Sequence, residues 1–114
     1  MRLSELDPRW LLVDGRRFGF VFRCPHCQKD WLSCFFVPMS HISGEDYHDC
    51  QYALFATVLP DAACHEIVPC RRDFAWTCAP SADQATFENM TVNPSLDASA
   101  SGHWHGHIVN GEIR

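Results

Sequence analysis

The stretch "FGFVFRCPHCQKDWLSCFFV", Phe18 to Val37, decides how this chain is read. At its start Phe18, Phe20 and Phe22 alternate with Gly19 and Val21, the pattern of a strand with one strongly apolar face. At its end "WLSCFFV", Trp31 to Val37, is apolar on both faces, which predicts a strand that is central or covered. Between the two lies Cys24-Pro25-His26-Cys27. Two strands joined by such a segment predict a hairpin whose turn serves as a zinc knuckle, because Cys-x-x-Cys offers two thiolates from one tight turn. Pro38 closes the second strand, having no amide to give to a ladder. Cys34, inside the apolar run, reads as a small core residue.

Outward from this hairpin, the C-terminal third also reads as β. "DFAWTCA" places Phe74, Trp76 and Cys78 on one face, and "TFENMTVNPSL" carries Phe87 and a β-prone run. That run is expected to stop at Asn93-Pro94, with Ser95 capping a turn. "DASASG" is small and polar and predicts a loop. "HWHGHIV" is the last long strand, Asn110-Gly111 a hairpin turn and "EIR" a short return. In the middle, "DYHDCQYALFATVL" fits a helix as well as a strand. The expectation is a single domain over 1–114, a small, mostly β sheet fold, with α+β left open by the middle.

Composition narrows the function classes. With 114 residues, 46% hydrophobic and 20% charged, the chain has enough apolar content for one globular core. The net charge of −5, with only Arg16-Arg17 and Arg71-Arg72 as basic pairs, argues against nucleic acid as a partner. No export signal and no apolar run of about 20 residues is present, so a soluble, cytoplasmic protein with no membrane partner is expected. Seven cysteines, an odd number, do not suggest a disulfide framework.

Zinc in a structural site takes about four N or S ligands. The strand-like flanks of Cys24 and Cys27 favour metal over redox chemistry, since a redox Cys-x-x-Cys opens a helix. His103, His105 and His107 recur at every second position near the C-terminus. In a strand they share one face, with neighbouring Cα atoms about 6.5–7 Å apart, and Trp104 and Gly106 face the other way. Two imidazoles at that spacing can converge on one ion. The predicted zinc site is therefore Cys24, Cys27, His103 and His105. His107 and His26 compete for the fourth position.

Other motifs fail. "CHEIVPCRRD" lacks the second His of His-Glu-x-x-His, whose place is taken by Pro69, and it lacks the His-x-Glu spacing of a zinc deaminase. Cys64, His65 and Cys70 could form only a second, looser site.

The segments "TFENMTVNPSL" and "GHWHGHIVNGEI" resemble a family of small domains of tailed phages and prophages, many labelled "ammonia monooxygenase". Related domains in bacterial ubiquitin-like conjugation operons are regarded as metal-binding. The matching positions are Cys24, Cys27, Trp76, Phe87, Thr91, Pro94, Ser95, Trp104, His105, Gly106, Ile108 and Gly111. The family's cysteine ahead of Trp-His falls on Gly102, and His103 beside it can take over the ligand role. His105, within the matched Trp-His-Gly, is the position carried over most directly. The resemblance implies a phage-encoded accessory protein in the host bacterial cytoplasm, binding a host protein and modulating a defence system. The competing expectations are a phage assembly component and a metal-dependent enzyme. In the enzyme one zinc position would be open to water, with His107 or Glu112 as base.

Overall fold

Two four-stranded sheets organise the chain. The computed structural model describes residues 1–13, 16–36, 67–69 and 75–114. The first sheet has the order β1 (Arg9–Val13), β2 (Arg16–Arg23), β3 (Trp31–Phe35), β4 (Ile67–Pro69). The second has the order β5 (Thr77–Ala79), β6 (Thr91–Asp97), β7 (His105–Val109), β8 (Glu112–Ile113). All neighbours run antiparallel except β3 and β4, which are parallel. Among the described residues the helical elements are two 3-10 turns, Leu3–Leu6 and Ser99–Ser101. The fold is mostly β, as the alternation implied. No helix of the described residues is long and apolar enough to cross a membrane.

The hairpin at the centre of the sequence forms. Phe20 pairs with Cys34 and Phe22 with Leu32, so the alternating face of β2 meets the same-facing residues of β3. All four are fully buried. They share one core with Val92 and Leu96 of β6, Ile108 of β7, and Trp76, Met90 and Trp104 from the connections. Burying one such large side chain contributes about 1.5–3 kcal/mol. Aromatic contacts cross the core: Phe22 meets Trp104 edge-on at 6.0 Å, and Trp10 stacks on Phe87 at 4.5 Å. β3 is buried along its whole length, Ser33 included, with β2 and β4 paired on its two edges. Cys34 is a core residue, as its apolar setting indicated.

Three details differ from the sequence reading. β1 is an additional strand, paired to β2 with an irregularity between Leu11 and Leu12. The chain does not turn at Asn93-Pro94. β6 runs through both residues to Asp97, and its register with β7 shifts between Val92 and Leu96. Proline cannot donate to the ladder, so the strand absorbs it as an irregularity in pairing rather than ending there. The third detail concerns the histidine strand: β7 begins at His105, so His103 precedes it.

The Asn110-Gly111 turn forms as expected. Val109 pairs with Glu112 around it, and both turn residues have positive φ, 50° and 76°. That is the conformation a two-residue hairpin loop requires. A Cβ on Gly111 would also stand 2.4 Å from the Glu88 carbonyl oxygen. Cys78 lies half-buried and Trp76 buried on one side of β5, while Thr77 and Ala79 are exposed. The helix-or-strand question of "DYHDCQYALFATVL", the Cys64, His65 and Cys70 grouping, Phe74 and Pro38 lie outside the described residues.

Candidate metal centre

Cys24 follows β2 directly and continues the alternation of Phe20 and Phe22, so its side chain enters the core and is fully buried. The chain then reverses tightly. The Gln28 amide donates to the Cys24 carbonyl at 2.7 Å, and the Cys24 amide donates to the Asp30 carbonyl at 2.8 Å. Gln28 takes a left-handed φ of 55° to make this possible. The turn brings Cys27 back beside Cys24 but on the exposed side. The Asp30 amide donates to Cys27 Sγ at 3.5 Å. Chiefly through that bond, with the Lys29 amide and Cys24 adding to it, the Cys27 thiol is held below the ordinary thiol range. A thiol that ionises readily is one prepared for a cation. Outside the loop, the Arg23 guanidinium donates to the Lys29 carbonyl and lies over the Trp31 ring at 3.9 Å.

The histidine half comes from the second sheet. β6 ends at Asp97, whose carboxylate accepts from the Ser99 amide at 2.9 Å and the Ser99 hydroxyl at 2.5 Å. These two bonds hold the Asp97 carboxyl below the usual carboxylate range. Gly102 closes the following 3-10 turn with a left-handed φ of 78°, its amide donating to the Ser99 carbonyl at 2.9 Å. The His103 amide then donates to the Ala98 carbonyl, and the Ala98 amide to the Trp104 carbonyl, both at 3.0 Å. Loop 98–104 is thus closed on itself. Trp104 anchors it against Phe22, two residues before Cys24, so His103 is delivered to the knuckle by core packing.

The ligand atoms of Cys24, Cys27 and His103 all lie within 4.8 Å of one another. Cys27 Sγ is 3.8 Å from His103 Nδ1. Tetrahedral zinc, with bonds of about 2.3 Å to sulfur and 2.0–2.1 Å to nitrogen, separates such a pair by about 3.5 Å. A movement of a few tenths of an ångström reaches that spacing for this pair. Two thiols and an imidazole also form a donor set that suits a borderline-soft cation better than magnesium or calcium. His103 Nε2 faces Asp30 Oδ2 at 3.4 Å.

Of the four residues named from sequence, the fold therefore brings together Cys24, Cys27 and His103. His105 is not in this group. It lies exposed on β7, its Nε2 3.4 Å from Ser95 Oγ. His107 is exposed on the same face of β7, and His26 is exposed in the knuckle. Sequence reasoning read Asp97–Gly102 as a loop, but missed Asp30 and the way that loop turns His103 towards the cysteines. The signal for the loop was present: Asp97, Ser99 and Gly102 are the residue types that build capped turns and accept left-handed φ. Comparisons of this chain with protein-family models, curated proteins and solved structures found no match.

Proposed function

We propose that this chain is a zinc-binding accessory protein whose metal is structural and whose work is to bind another protein. The observation that carries the reading is the approach of Cys27 to His103, 76 residues apart in sequence, one in the turn of the β2–β3 hairpin and the other in the loop before β7. An ion held there ties the β2–β3 hairpin to the loop before β7. Structural zinc binding contributes about 10–16 kcal/mol in small domains, compared with a net stability of about 5–15 kcal/mol for a whole domain. Zinc at this position therefore governs folding. The resemblance to phage and prophage domains supports a host protein in the bacterial cytoplasm as the partner. The acidic charge supports a protein over nucleic acid.

The enzyme reading draws on one observation: the described residues bring three ligand atoms together, and a catalytic zinc has three protein ligands plus water. One experiment separates the two readings. The purified, untagged protein is assayed for metal, then unfolded by heat with and without a chelator, and its cobalt form is titrated with azide. One zinc per chain, collapse of the fold on chelation and a cobalt spectrum unmoved by azide support the structural reading. A folded protein after chelation, with a cobalt spectrum that shifts on azide, replaces it with an open site. Absence of metal overturns both.

A further inference from the structure

Asp30 belongs to the cysteine turn by its backbone and to the histidine by its side chain. Its amide donates to Cys27 Sγ at 3.5 Å and its carbonyl accepts from the Cys24 amide at 2.8 Å. The turn that sets the two sulfurs therefore also sets Asp30. Its carboxylate Oδ2 stands 3.4 Å from His103 Nε2, while His103 Nδ1 faces Cys27 Sγ at 3.8 Å. The two ring nitrogens thus look in different directions, one towards the sulfurs and one towards a carboxylate.

A neutral imidazole carries one N–H and one lone pair, and an ionised carboxylate can only accept. Facing Asp30, the proton belongs on Nε2, and the lone pair is left on Nδ1, aimed at the cysteines. We infer that Asp30 is a positioning residue of the metal centre, holding His103 in the tautomer that coordinates through Nδ1. This rests on the zinc reading above and adds to it the ligating atom and the group that selects it. A metal-bound histidine gains basicity and a fixed ring orientation from such an acceptor, and losing the acceptor weakens metal binding by about 10- to 100-fold. The Asp30 side chain is 47% exposed and that of His103 14%. As a bare ion pair at that exposure the contact contributes little to stability. Its effect belongs in metal affinity.

The test uses the full chain loaded with zinc. Zinc affinity is measured by competition with a chromophoric chelator for the wild type, Asp30→Ala and Asp30→Asn. The His103 ring is read in the zinc-loaded wild type by long-range 1H–15N correlation. The expected result is Nδ1 bound to metal, Nε2 carrying the proton, and a 10- to 100-fold weaker zinc affinity in Asp30→Ala at unchanged stoichiometry. Asp30→Asn, which keeps an acceptor oxygen without the charge, falls between. Coordination through Nε2, or equal affinity in Asp30→Ala, overturns the role of Asp30 while leaving the zinc reading intact. A wild type that binds no zinc fails the underlying reading instead.

Discussion

His103 and His105 are two residues apart, and on an extended strand they would point the same way. In the fold they do different things. His103 sits before β7, half-buried, with Nδ1 3.8 Å from Cys27 Sγ. His105 is the first residue of β7, exposed, beside Ser95. Period two is a property of a strand, and it stops where the ladder stops. The residue that separates the two histidines, Trp104, faces inward and is buried against Phe22, and the turn ahead of it is what turns His103 towards the knuckle. Sequence period is thus a poorer guide to where a histidine points than the backbone turn that precedes it.

The comparison can be broken most severely at the cysteines. Cys24→Ser removes the buried thiol of the Cys24, Cys27 and His103 cluster. It should abolish zinc binding and leave the chain unfolded by circular dichroism. Next comes Trp104→Ala, which empties the core position that carries His103. Large aromatic-to-alanine changes in a core cost about 3–5 kcal/mol, and here zinc affinity should fall with thermal stability. Gly106→Ala tests the opposite face of β7, where a Cβ would stand 2.5 Å from the Trp104 ring and 2.7 Å from the Arg114 carbonyl oxygen. Overpacking of that kind costs about 1–3 kcal/mol, read from urea denaturation of the zinc-loaded protein. The smallest effect belongs to His107→Ala on the exposed side, expected within about 0.5 kcal/mol of wild type by the same denaturation, with zinc content unchanged.

Much of the fold was legible because its signals are local. The Phe20 and Phe22 alternation, the two-sided apolar run of β3 and the Asn110-Gly111 turn each state their structure within a few residues. β1 was passed over although "RWLLV" is followed by Asp14-Gly15, a dipeptide that marks hairpins. At Asn93-Pro94 the sequence was read as the end of the run and a turn, whereas β6 continues through both residues to Asp97 with a shift in register. Beyond the proline β6 pairs with β7 alone, at Leu96 and Asp97, whereas its pairing with β5 stops at Asn93.

The Cys24, Cys27 and His103 cluster was legible by residue type and not by register. The two cysteines announce themselves by spacing. Which histidine joins them depends on where β7 begins, and that depends on the Asp97–Ser99 contacts and the left-handed Gly102. Asp30 gave no signal at all, since its approach to His103 exists only once two loops far apart in sequence are brought together.

The most direct test of the central claim sets His103→Ala beside His105→Ala and measures zinc per chain in each. The expected result is one zinc in wild type and in His105→Ala, and none in His103→Ala. Zinc kept by His103→Ala and lost from His105→Ala would contradict it, and would place the metal on the histidine that the fold leaves beside Ser95.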